Sequence, residues 1–131
     1  MCIPKPAFDA TPIAAPILAR HHDRLAHSTP EVVAKFKAWG GIAAITRSAE
    51  GCVIMKGGDV HYVPAAPVAE VVDTTGAGDL FAAGFLFGIT HGKSLEDCGR
   101  LGSLAAAEVI SHYGARPETS LKALAEKAKL L

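Results

Sequence analysis

The sequence predicts an α/β layer fold: a small sheet of about four strands packed with helices. Two observations predict it. Short, strand-like apolar runs come early in the chain, and helical apolar periodicity comes late. A length of 131 residues suits one domain with one core, and the composition, 50% hydrophobic and 20% charged, is that of an ordinary globular protein.

The elements follow in order. Residues 1–28 are poorly defined. Pro4, Pro6, Pro12 and Pro16 interrupt regular structure, and a polar stretch with His21, His22 and His27 follows. A helix is expected over residues 30–39, with Thr29 as cap, Pro30 in its first turn and Gly40-Gly41 as its stop. Val32, Val33, Phe36 and Trp39 give it one apolar face. The run Ile42-Ala43-Ala44-Ile45-Thr46 reads as a buried strand. Residues 52–56 and 60–63 read as two strands of a hairpin turning at Gly57-Gly58-Asp59. A further strand is expected over residues 68–72. Helices are then expected over residues 78–90, 94–112 and 120–130. Ser94-Leu95-Glu96-Asp97 resembles a capping box at the start of the second, and Gly114 fits its end.

Bulk properties narrow the function. Zero formal net charge gives no electrostatic reason to expect nucleic acid or an anionic membrane as partner. No apolar run approaches the roughly 20 residues of a spanning helix, and the N-terminus lacks a secretory layout. Cys2, Cys52 and Cys98, odd in number and far apart, read as reduced thiols in a cytoplasmic protein. Cys52 and Cys98 read as inert core positions. The three histidines of the first segment show no recognised ligand spacing and read as solvated. Arg47 and Arg116 read as surface or helix-end residues, Lys56 as a solvated strand residue, and Phe81, Phe85 and Phe87 as core.

Chemistry concentrates in Asp73-Thr74-Thr75-Gly76-Ala77-Gly78-Asp79, between an expected strand and an expected helix. Glycines at 76 and 78 permit unusual backbone angles and leave no side chain in the way. Their N–H groups and that of Ala77, with the positive end of the helix dipole, suit one anion such as a transferring phosphoryl group. Asp79 would repel that anion, so its presence needs a reason. It fits either a general base for an attacking hydroxyl or a helix-capping carboxylate that stabilises by about 0.3–1 kcal/mol. The third glycine of a dinucleotide fingerprint is missing after Gly78, and no Walker pattern occurs.

This string, followed by Leu80-Phe81-Ala82-Ala83-Gly84-Phe85, resembles the C-terminal signature of the ribokinase/PfkB carbohydrate kinases. The resemblance runs over residues 42–117 and is nearest the bacterial adenosine kinase-like and sugar kinase members. It implies a ribokinase-like fold, here its C-terminal portion, over residues 29–131. It further implies phosphotransfer from ATP to a hydroxyl of a sugar or nucleoside, with Mg2+ and K+. Asp79 matches the family's catalytic base, and Gly76, Ala77 and Gly78 match its anion hole. Residues Thr46, Ser48 and Gly51 belong to a stretch similar to the Thr-x-Gly-x-x-Gly nucleotide loop, with Ser48 where the first glycine usually stands. Ser103 matches a position lining the adenine pocket. Asp73 and Thr75 match the monovalent-cation site, which carbonyls near Val109, His112 and Gly114 would complete. Gly114-Ala115-Arg116-Pro117 resembles the segment that closes it.

Departures from the family pattern are equally legible. Family members are usually about twice as long or more, and their N-terminal half carries the Gly-Gly sugar motif and lid strands, which this sequence does not show. The Asn-x-x-Glu motif is absent because the sequence has no asparagine. The expectation is therefore a truncated kinase module. Its alternatives are a nucleotide- or phosphate-binding fragment without turnover, and an interaction module whose exposed apolar faces self-associate or pack on a chain carrying the missing half.

Overall fold

A computed structural model of the chain describes residues 2–3 and 29–131. The proline-interrupted stretch and its three histidines lie outside the described residues. Among the described residues one antiparallel sheet has the order β1-β2-β3-β4, formed by Cys2–Ile3, Ile42–Thr46, Cys52–Lys56 and Asp59–Val63. Helix α1 spans Thr29–Trp39, α2 Ala77–Thr90, α3 Leu95–Ile110 and α4 Leu121–Lys127.

The sheet is a middle layer, and the period-two alternation of its strands assigns each side. Ala43, Val53 and Met55 point to one face and pack with Val32, Val33 and Phe36 of α1. Ala44, Cys52, Ile54 and Val63 belong to a second cluster with Phe81, Phe85 and Cys98 from α2 and α3. Burial on both faces explains why β2 and β3 read as continuous apolar runs, although their neighbours are antiparallel. The hairpin turns on Gly57-Gly58, with Gly57 at φ 58°, and Asp59 already stands opposite Lys56 in β4.

Helices α2 and α3 approach closely because their contact is built of small residues. A Cβ on Gly84 would come 2.5 Å from the Leu101 carbonyl oxygen, and one on Gly88 would come 2.8 Å from Cys98 Sγ. Ser94 caps α3, its hydroxyl accepting from the Asp97 N–H at 3.1 Å, while the Asp97 carboxylate lies 3.8 Å from Arg100. Ser120 caps α4 in the same way through the Ala123 N–H.

Three expectations are corrected. First, residues 68–72 form no strand. Pro64 and Pro67 remove ladder donors just before them, and the N–H groups of Val72 and Asp73 both donate to one carbonyl, that of Ile110. The fourth strand is instead Cys2–Ile3, within the segment read as poorly defined. Second, α3 ends at Ile110 rather than near His112. Its last carbonyl is taken by residues 72–73, and the Ser111 hydroxyl donates back to Ala107. Third, Phe87 is not a core residue. It is 40% exposed and stacks on His91 with ring centroids 3.9 Å apart.

Candidate functional site

A cleft of about 650 Å³ opens between the turn after β2, the segment following β4, and the facing sides of α2 and α3. Its walls include the small or apolar residues Ala65, Pro67, Val68, Val71, Ala106 and Ile110. Its size and largely apolar lining suit a small-molecule ligand. Six residues singled out from the sequence meet here: Thr46, Ser48, Gly51, Ala77, Gly78 and Ser103. Gly76, Asp79, Asp73 and Thr75 are not among the lining residues.

The turn after β2 is shaped by two unusual backbones. Ser48 opens a 3-10 turn (Ser48–Glu50) with φ 55°, the left-handed region that costs a non-glycine residue roughly 1–2 kcal/mol. Gly51 has φ 89°, and a Cβ there would overlap the Val63 carbonyl oxygen and lie 2.7 Å from Ala65 N. The cleft wall at residues 63–65 thus rests directly on Gly51. Arg47 does not line the cleft. Its guanidinium donates to the Glu50 carbonyl at 3.0 Å and sits 5.5 Å from the Tyr62 ring centre. Ser103 is buried on α3 beside Cys52, whose thiol is pushed up by burial against the opposing pull of the Ser103 hydrogen bond and the Arg47 charge. Burial and then the Asp97 charge push up the Cys98 thiol. Both cysteines are fully buried.

The glycine string forms a turn leading into α2. Gly76 precedes the helix in the left-handed conformation (φ 82°, ψ −1°), and its carbonyl accepts the first helical bond from Leu80 N–H at 2.9 Å. A Cβ at Gly76 would come 2.8 Å from that of Ala115. Ala77 N–H donates to the Thr74 carbonyl at 3.2 Å, so it closes the turn instead of standing open as the sequence suggested. Gly78 and Asp79 N–H fall in the first turn, where the helix supplies no acceptor. A Cβ on Gly78 would meet nothing within 4 Å. Asp79 is exposed in the same turn.

Two carboxylates hold the chain that follows α3, one from the turn and one from α3 itself. Asp73 Oδ1 accepts from the Thr75 N–H (2.9 Å) and hydroxyl (2.7 Å), and its Oδ2 accepts from Gly114 N–H (3.1 Å). The Thr75 hydroxyl, followed by the Thr75 and Gly114 N–H groups, holds the Asp73 carboxyl below its usual range. Asp73, Thr75 and Gly114 are therefore brought together as the sequence implied, but the carboxylate already serves three protein donors.

The second carboxylate, Glu108, was not anticipated. It is buried near the end of α3, where Oε1 accepts from the N–H groups of Glu118 (2.9 Å) and Thr119 (2.8 Å) and Oε2 lies 3.2 Å from His112 Nε2. Burial works to raise its pKa, but the Thr119 N–H, His112 and the Glu118 N–H outweigh it and hold the carboxyl low. The Tyr113 carbonyl and then Glu108 raise His112 above its ordinary value. The four-residue spacing of Glu108 and His112 on a helix was the available sequence signal. The partners at 118 and 119 left none.

Comparison with known proteins places this geometry. The model of the pfkB family carbohydrate kinases matches residues 16–122. The chain belongs to that family. A probable sugar kinase from Rhizobium etli CFN 42 superposes with a TM-score of 0.75 and 55% identity, over 78% of this chain and 31% of that one. The adenosine kinase from Sinorhizobium meliloti gives 0.69 and 50%, over 72% and 29%. Arabidopsis thaliana ribokinase, solved with ribose and ATP, gives 0.64 and 31%, over 77% and 32%. The fold is thus the ribokinase-like α/β fold in part, and the chain spans about three tenths of the length of these relatives. No helix among the described residues is long and apolar enough to cross a membrane.

Proposed function

We propose that this chain, chiefly residues 29–131, carries the nucleotide-binding and phosphoryl-transfer part of an ATP-dependent kinase acting on a hydroxyl of a sugar or nucleoside. Gly78 carries the reading. Its backbone is helical, so no left-handed angle demands glycine, and a Cβ there would meet open space, so no packing demands it. Glycine in a helix costs about 0.5–1 kcal/mol relative to alanine. A missing side chain without an internal reason, at a helix start and on the rim of a cleft, fits an external group seated against the N–H donors.

In this reading the base of ATP occupies the apolar part of the cleft beside Ser103, and the phosphates run past Thr46 and Ser48 toward Gly78. Open N–H groups at the start of α2 stabilise charge on the phosphoryl oxygens. Asp79 accepts the proton of the acceptor hydroxyl as its oxygen bonds to phosphorus and the bond to ADP breaks. A monovalent cation such as K+ would be held by carbonyls near Val109, His112 and Gly114 and by the Thr75 hydroxyl. The Asp73 carboxylate would orient that set through Thr75 and Gly114. Mg2+ would be carried on the ATP phosphates, since among the described residues no group of three or more His, Cys, Asp or Glu side chains could hold an ion. No step is assigned to it. Binding without turnover is the second reading, favoured by Asp79 standing outside the cleft lining.

The test is incubation of the purified chain with ATP, Mg2+ and a panel of sugars and nucleosides. Asp79→Asn should abolish phosphotransfer and leave nucleotide affinity nearly unchanged. Equal turnover in that variant removes the general-base assignment. Binding with no turnover in the unmodified chain selects the second reading.

A further inference from the structure

The stretch from Ser111 to Ser120 is a strap without helix or strand, yet it forms part of the seat of the glycine turn. Ala115 packs against Gly76, so closely that a Cβ on Gly76 would come 2.8 Å from the Ala115 Cβ and 3.1 Å from its Cα. Two carboxylates fix the strap at three places. Asp73 takes its middle through Gly114 N–H. Glu108 takes its far end through two consecutive N–H groups, those of Glu118 and Thr119, and its near end through His112. Val72 and Asp73 close the circuit by donating to the Ile110 carbonyl at the end of the helix that carries Glu108.

A buried carboxylate is costly unless its lone pairs are filled. Here three contacts fill them, two from backbone that has no secondary structure to hold it. The arrangement spends a buried charge on fixing a loop, and that loop's inner residue presses on the turn presenting the N–H donors.

We propose that Glu108 is a positioning residue for the phosphoryl site. It fixes the strap, the strap fixes Gly76 through Ala115 and Asp73 through Gly114, and the orientation of the first α2 N–H groups follows. The link to phosphoryl transfer rests on the function proposed above, whereas the mechanical link does not.

The experiment compares amide spectra of the ligand-free chain for wild type, Glu108→Ala, Glu108→Gln and Val33→Ala. The last variant thins the core on the opposite sheet face. Glu108→Ala should shift the amide signals of residues 76–78 and speed exchange at Ala77 by about tenfold. Glu108→Gln keeps an oxygen for the two N–H donors and should restore the wild-type signals. Val33→Ala should leave them in place. Glu108→Asp retracts the acceptor by one methylene and carries the alanine expectation should the alanine variant not fold. In parallel, affinity for a non-hydrolysable ATP analogue should fall at least about threefold in Glu108→Ala and recover in Glu108→Gln. Unmoved signals at 76–78 in the alanine or aspartate variant, or no rescue by glutamine, overturn the proposal. If the signals move as expected and even wild type fails to bind the analogue, the positioning role stands and the kinase reading falls.

Discussion

Gly78→Ala separates function from folding more cleanly than any other change in the site. The added methyl meets no protein atom within 4 Å, and the backbone is already helical. Alanine should therefore stabilise the fold by about 0.5–1 kcal/mol. For a domain of this size that raises the melting temperature by about 2–5 °C. On the proposed reading, the same methyl would occupy the space through which a phosphoryl oxygen reaches the N–H groups of the first turn. Losing one such donor costs about 3 kcal/mol of transition-state stabilisation, roughly a hundredfold in rate. Thermal denaturation followed by circular dichroism, with calorimetric titration of a non-hydrolysable ATP analogue on the same samples, reads both effects. The expected result is a more stable protein with analogue affinity at least about tenfold weaker. A variant that is more stable and binds the analogue as wild type does would refute the placement of a phosphate against Gly78. Gly76→Ala cannot serve as this test, because φ 82° and the Ala115 overlap make it a folding defect as well.

Two further outcomes are expected. Ser48→Gly should relieve a left-handed cost of about 1–2 kcal/mol, partly offset by about 0.5–1 kcal/mol from the freer unfolded chain. The net gain, read as a higher urea midpoint with unchanged slope, is absent only if the serine side chain compensates at φ 55°. Stability should also peak in mildly acid solution. Asp73 and Glu108 are depressed in the folded state below 3.8 and 4.5, so their contribution is present above those values and lost as pH falls through the folded ones. His112 is raised above 6.5, so its contribution is complete below 6.5 and lost as pH rises through its folded value. Urea midpoints across pH should therefore be highest between about 4.5 and 6.5, and Glu108→Gln should flatten the acid limb. Midpoints indifferent to pH on both sides would show that these groups do not hold the strap.

Legibility of the fold depended on how local each cause was. The helices were readable because periodicity, the Ser94 cap and the Gly40-Gly41 stop act within a few residues; Ser94 caps α3 through the N–H group three residues on. The hairpin was readable from Gly57-Gly58. Residues 68–72 misled because their β-branched apolar residues suit a strand or a cleft wall equally well. The choice was made by the Ile110 carbonyl, thirty-seven and thirty-eight positions away from its two donors, Asp73 and Val72. The site divides likewise. Thr46, Ser48, Gly51, Ala77, Gly78 and Ser103 were legible through the family motif and do line one cleft. Glu108 was not, since its two N–H partners lie in a loop with no periodic relation to it.

By itself the sequence determined which segments are helical, where the sheet hairpin turns, and that a glycine-rich heptapeptide carrying a carboxylate leads into a helix. Those are matters of backbone angle and neighbouring residues. The tertiary structure alone decided that a two-residue N-terminal strand completes the sheet, that residues 65–68 and Val71 wall the cleft, and that Ala77 closes its turn while Gly78 stays open. It also decided that Asp73 and Glu108 clasp the strap beside Gly76. Apart from the short-range Ala77–Thr74 bond and the open Gly78, each of these depends on a hydrogen bond or close contact between residues far apart in the chain, and such partners are chosen only when the layers pack.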